Sequence, residues 1–183
     1  MGCRGPRRDP AHAGADFFVC PDNTAHMALE REGDELALPG LHIAEVVAER
    51  AAHDGYTHVG VLGTRYLMDG PVYARALSRR GIATEVPEAE DRQLINEIIF
   101  EELVNGVLAD GSRREYLRVI EQLAARECDA VALVCTEIPL LVTPDDSPLP
   151  TLDSTRLLAR AAFAVAAGEQ PAPTWRGGPV DAG

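Results

Sequence analysis

The 183-residue chain predicts an α/β fold with mainly parallel strands. Short apolar runs alternate with longer runs of helical periodicity between residues 15 and 167. Such alternation builds parallel sheets with helical crossovers. Three of the apolar runs stop at a polar cluster that opens a turn or helix: Asp22-Asn23-Thr24, Gly63-Thr64-Arg65 and Cys135-Thr136-Glu137. In open parallel sheets, ligands gather beyond the carboxyl ends of the strands. The first and third clusters are alike, an apolar strand followed by Asp22 or Cys135 and a polar pair that includes Thr. That likeness points to two similar halves facing each other.

The elements follow in order. Residues 1–13 are rich in Arg, Pro and Gly, have no periodicity and predict a poorly defined start. Residues 15–20 read as a short buried strand. Pro21 to Thr24 form a turn with capping residues, and His26 to Glu32 begin a helix. Leu41 to Ile43 is a short strand and Ala44 to His53 a helix closed by Gly55. Thr57 to Leu62 is a strand, and the helix after it runs through Pro71 to Arg80 and stops at Gly81. Ala83 to Val86 is a strand. Asp91 to Asn105 is a helix with Leu94, Ile95, Ile98, Ile99 and Leu103 on one side, and Arg113 to Arg126 is another of the same kind. Asp129 to Val134 is a strand, Thr155 to Ala167 the last helix, and Gly177-Gly178-Pro179 ends the fold. Trp175 is expected to pack the C-terminal tail on the body.

Bulk properties narrow the function classes. Hydrophobic residues make up 46%, enough for a core, and charged residues 25%, ordinary for a globular protein. A net charge of −12 with no basic block repels phosphate backbones and argues against nucleic acid as a partner. No stretch approaches the ~20 apolar residues that span a bilayer, and the basic N-terminus lacks the apolar segment of a secretory signal. A cytoplasmic location with no membrane partner is the expectation. Cys3, Cys20, Cys128 and Cys135 form no CxxC and no His stands at a ligand spacing, which argues against zinc. Neither GxGxxG nor GxxxxGK[ST] occurs, so Gly63-Thr64-Arg65 is no phosphate loop.

The clusters have the parts that proton transfer beside a carboxylate requires. A base on one face and an acid on the other are needed for racemisation. The enolate-like transition state needs N–H and hydroxyl donors, which Asn23, Thr24, Thr64 and Thr136 and the turn amides offer. A Cys at a helix start has a lowered pKa and is partly thiolate near neutral pH. Plainer readings stand beside these. Cys135 is equally a buried strand-end thiol. Asp22, Asn23 and Thr24 are equally a capping cluster, Glu137 a first-turn acid and His26 a solvent-facing helix residue. Cys20 and Cys128 read as structural, and Glu88 to Asp91 as a solvated approach to a helix.

Three strings together resemble the aspartate/glutamate racemase superfamily: Pro21-Asp22-Asn23-Thr24-Ala25-His26, Val61-Leu62-Gly63-Thr64-Arg65 and Val134-Cys135-Thr136-Glu137-Ile138. Their order and separation fit, over roughly residues 14–180, and Cys-Thr-Glu after a β-branched strand is the most specific part. The resemblance implies two pseudo-symmetric α/β lobes, here residues 1–52 with 150–183 and residues 53–149, and a site between them. It implies Cys135 as a catalytic acid/base and Asn23, Thr24, Thr64 and Thr136 around the substrate carboxylate, with Glu137 beside them. It implies no pyridoxal phosphate, metal or nucleotide, and a small carboxylic-acid substrate of the amino-acid kind. Pairing into a homodimer is implied by the resemblance alone.

Three departures shape the expected activity. Asp22 stands where the best-known members have their first catalytic Cys, so Asp22 and Cys135 are the expected opposed pair. An ordinary Asp titrates near ~3.9 against ~8.5 for Cys, so Asp22 needs a dry setting to serve as base. Leu67 stands where many relatives have a second Thr. Nothing like the relatives' opening strand and Gly-rich turn precedes Ala15, so the first lobe is expected to be incomplete. The expected activity is cofactor-independent racemisation or epimerisation of an amino acid. The alternatives are a decarboxylase or cis–trans isomerase using Cys135 alone, and an inactive fragment.

Overall fold

The structure, a computed structural model, describes residues 14–33 and 35–180. The expectation for residues 1–13 lies outside the described residues. The elements are β1 (Phe18–Val19), α1 (His26–Leu29), β2 (Gly40–Leu41), α2 (Ile43–His53), β3 (His58–Leu62), α3 (Arg65–Met68), α4 (Pro71–Ser78) and β4 (Ala83–Glu85). They continue through α5 (Ala89–Glu97), a π-helical turn (Ile98–Glu102), a 3-10 turn (Leu103–Asn105), α6 (Asp110–Ala125), β5 (Ala130–Leu133), α7 (Ile138–Leu141), β6 (Thr151–Asp153) and α8 (Ser154–Ala166). Among the described residues all strand pairs are parallel: β1 with β2, and β4-β3-β5-β6 as a four-stranded sheet.

The four-stranded sheet is covered on both faces because side chains alternate along its strands. Val131 and Leu133 of β5 join Tyr116, Val119, Ile120 and Leu123 of α6. These helix positions repeat at the three- and four-residue spacing of a buried stripe. Ala130, Ala132 and Val134 face the other way, against Val47 and Ala51 of α2 and Tyr73 and Leu77 of α4. Continuing the alternation puts Cys135 on the Leu133 side, where it packs against the α6 cluster.

Several expectations needed correction. The strand expected over residues 15–20 shrinks to Phe18–Val19, and Val19 is exposed rather than buried. The strand expected over Leu41 to Ile43 ends at Leu41, because the His42 side chain accepts a hydrogen bond from Glu45 N and caps α2. The helix expected from Asp91 to Asn105 changes character after Glu97. There Asn105 Nδ2 donates to the carbonyls of Phe100 and Glu101, and left-handed Gly106 ends the run. Thr151–Asp153 forms a strand on β5 that sequence reading missed. The chain therefore stays with the four-stranded sheet past residue 150 and leaves it at Ser154. Trp175 does hold the tail, through an antiparallel bridge to Gly40 and ring contacts with Phe18, His26 and His42.

The ends of β3 and β5 touch at Gly63. A Cβ there would lie 2.5 Å from Val134 Cγ2 and 3.1 Å from the Val134 carbonyl oxygen. Thr64 and Cys135, the next residue in each chain segment, are thus brought together by the lack of a side chain between them. Gly63→Ala is expected to cost about 1–3 kcal/mol by overpacking. Urea unfolding would show it as a lower midpoint at unchanged slope, and an unchanged midpoint would contradict the tight fit.

Candidate active site

The three strand-end clusters line one cavity of about 450 Å³: Asp22, Asn23 and Thr24 from the β1–α1 loop, Thr64 after β3, and Cys135, Thr136 and Glu137 after β5. All seven residues singled out from sequence are thereby brought together. Thr24 Oγ1 lies 3.5 Å from Thr64 Oγ1, so the first two clusters meet directly. A separate cavity of about 270 Å³ is framed by Arg50, Arg156 and Arg160 and contains none of the clusters.

Asn23 is buried and its amide is committed to protein partners. Its Nδ2 donates to Ser154 Oγ at 3.0 Å, and its Oδ1 accepts from the Tyr73 hydroxyl. Ser154 Oγ in turn donates to the Leu133 carbonyl at 3.0 Å, two residues before Cys135. Burial pushes the Tyr73 phenol up, so it remains a donor. This buried chain joins the Asp22 loop to β5. Tyr73 and Ser154 escaped the sequence reading because nothing in their local pattern marks a partner that lies 50 or 131 residues away.

His26 is fully buried, not solvent-facing as one sequence reading had it. Its Nδ1–H donates to the Asp22 carbonyl at 2.9 Å and its Nε2 accepts from Ile43 N–H at 3.2 Å, which fixes a neutral tautomer. The ring stacks on Trp175. It therefore pins the backbone of Asp22, while the Asp22 side chain is exposed at the edge of the cavity, without the dry setting expected of it, and its Oδ1 accepts from Ala25 N–H at 3.0 Å. Cys20 Sγ points back to the Asp22 carbonyl at 3.8 Å and does not line the cavity.

Cys135 Sγ donates to Glu137 Oε2 at 3.0 Å, and Thr136 Oγ1 donates to the same oxygen at 2.6 Å. The expected thiolate is corrected here. Burial and then the Glu137 carboxylate push the Cys135 thiol up to about 12. The helix that was to lower it, α7, is a four-residue turn, too short to supply a useful dipole. Burial alone would raise Glu137, but the donors Cys135 and Thr136 outweigh it and hold the carboxyl below its ordinary value. The resting pair is therefore a protonated thiol on an ionised carboxylate. One wall of the cavity was not anticipated: Tyr66, Ile99, Phe100 and Val104 line it as well. The available signal was the four-residue spacing of Phe100 and Val104 beside the core stripe.

Burial lowers His26 to about 4 from 6.5. The unfolded chain then takes up a proton near 6.5 that the folded chain refuses until about 4. Stability from this group is complete above about pH 6.5 and falls as pH drops toward 4, by at most about 3 kcal/mol. The His26 ring proton signals should titrate near 4 in NMR, and titration near 6.5 would contradict the buried neutral ring.

Comparison with known proteins agrees with the geometry. A sequence model of the Asp/Glu/Hydantoin racemase family matches residues 7–162. The broad specificity amino-acid racemase RacX of Bacillus subtilis (strain 168) is 24% identical over 155 residues, 81% of this chain and 63% of that protein. The chain thus spans less than two thirds of this curated relative. A solved structure from Yersinia pestis, assigned to the Asp/Glu racemases, is 37% identical with a TM-score of 0.77, covering 86% of this chain and 69% of that one. An aspartate racemase homologue from Pyrococcus horikoshii OT3 is 29% identical with a TM-score of 0.76, covering 86% and 70%. The strands, the cavity at their ends and these likenesses agree: the chain belongs to the Asp/Glu/Hydantoin racemase family.

Proposed function

We propose that this protein racemises or epimerises a small amino acid without a cofactor, by moving a proton at Cα between Asp22 and Cys135. The observation that carries the reading is the convergence of three strand ends, far apart in sequence, on one cavity. In this reading the described parts of residues 1–52 with 150–183 and residues 53–149 act as two lobes flanking the cavity, except that β6 pairs with β5 and α2 packs on the four-stranded sheet. A cytoplasmic setting belongs to this proposal. Among the described residues no helix is long and apolar enough to cross a membrane.

Each group has a task. In one direction the Asp22 carboxylate takes the α-proton and the Cys135 thiol gives its proton to the opposite face of the carbanion. The products are a protonated Asp22, a Cys135 thiolate and the inverted amino acid. In the other direction a thiolate removes the proton and Asp22 returns one. Because burial and Glu137 raise the thiol, the thiolate is a stronger base than an ordinary one, which suits a weakly acidic C–H. Glu137 holds the thiol proton in the resting state and orients Sγ. The hydroxyls of Thr24 and Thr64 donate to the substrate carboxylate as it gains charge, while the Thr136 hydroxyl stays on Glu137. Asn23 serves the site through its backbone and its hold on Ser154.

Proton NMR in D₂O with a panel of amino acids tests this. Loss of the α-proton signal is expected, with a decrease of about 100-fold or more in Cys135→Ala and in Asp22→Asn. Retained exchange in Cys135→Ala would overturn the reading. Exchange that survives only in Asp22→Asn would reduce the machinery to Cys135 alone.

A further inference from the structure

We propose that the cavity selects amino acids with an uncharged, apolar side chain, of the leucine, methionine or phenylalanine kind, over those with a second carboxylate, with Phe100 and Val104 as the specificity-determining residues. The proposal rests on the proton-transfer reading above. Ile95, Ile99 and Leu103, four residues apart, are buried in the core. Phe100 and Val104 lie one position further round, where a helix facing water carries polar side chains. They are instead large and apolar, 44% and 51% exposed, and line the cavity together with Tyr66.

Their presentation is built. The π-helical turn Ile98–Glu102 shifts the register of the run, and Asn105 Nδ2 holds the Phe100 and Glu101 carbonyls so that the turn persists. Glu97, Glu101 and Asn105, interspersed with them, are polar and lie off this wall, while the exposed apolar Val107 and Leu108 follow just beyond it. An apolar substrate side chain laid on Phe100 and Val104 leaves water for a matching surface.

The charges in the cavity point the same way. Asp22 and Glu137 are the acidic side chains that line it, and Glu137 is held ionised by its two donors. These suit the α-ammonium group. The neutral hydroxyls of Thr24 and Thr64 suit the α-carboxylate. A second carboxylate would give up water, meet an apolar wall and face charges of its own sign.

The test compares enantiopure leucine, methionine and phenylalanine with aspartate, glutamate and lysine, using α-proton loss in D₂O by the full chain. A kcat/KM for the apolar group at least about tenfold above that for aspartate and glutamate is expected, since a pocket discriminates single groups on this scale. Phe100→Arg should reverse the order. Aspartate, glutamate or lysine exchanging as fast as the apolar group would overturn the proposal. Absence of all exchange would instead break the proton-transfer reading. The side-chain class is then decided by saturation-transfer NMR with α-methyl-leucine and α-methyl-aspartate, which have no α-proton. Saturation of the leucine analogue alone, lost in Phe100→Arg, supports the selection. Saturation of the aspartate analogue, or of neither, overturns it.

Discussion

The hydrogen bond from Asn23 to Ser154 is the contact on which the site depends. Ser154 opens α8 and passes the bond to the Leu133 carbonyl, while Tyr73 closes the other side of the amide. The β1–α1 loop is thereby tied to the strand that ends in Cys135. β1 itself is two residues long and offers little sheet pairing. Its loop is placed by buried polar groups, whose partners are costly to lose because nothing else in the interior can replace them. His26 adds a second tether on the Asp22 carbonyl and a third on the start of α2.

The same burial that fixes these groups sets their chemistry. His26 stays neutral because its ring is enclosed, so its two nitrogens keep distinct roles as donor and acceptor. Cys135 stays protonated because it is enclosed beside a carboxylate. A thiol in that state is a proton donor at rest and a strong base once ionised, which is the pair of properties that two-direction proton transfer asks of one group. Glu137 is the hinge of this arrangement, since it receives both Sγ and the Thr136 hydroxyl on one oxygen.

Much of the fold was legible in the sequence because periodicity reports burial. Val131 and Leu133, and Tyr116, Val119, Ile120 and Leu123, fall where strand and helix periods put them. The three polar clusters were legible because each interrupts an apolar run. What escaped were features set by distant partners. β6 is three residues long and exists through its pairing with β5. The break after Glu97 depends on where Asn105 reaches, which a helical pattern does not encode. The thiol's protonation was misread because a turn of four residues was taken for a helix with a dipole, and because burial of Cys135 follows from α6 packing over it. The apolar wall escaped because Phe100 and Val104 stand beside the core stripe, and a helical pattern does not say that a cavity lies against them.

The most direct test of this account is Ser154→Ala. The substitution removes the acceptor for Asn23 and the donor to Leu133 without touching a group that meets substrate. A folded protein, about 1–3 kcal/mol less stable, with α-proton exchange reduced about 10–100-fold is the predicted result, since small misplacements of opposed groups are costly. Exchange at the unaltered rate would show that Asp22 and Cys135 hold their positions without this bond, and would contradict the account.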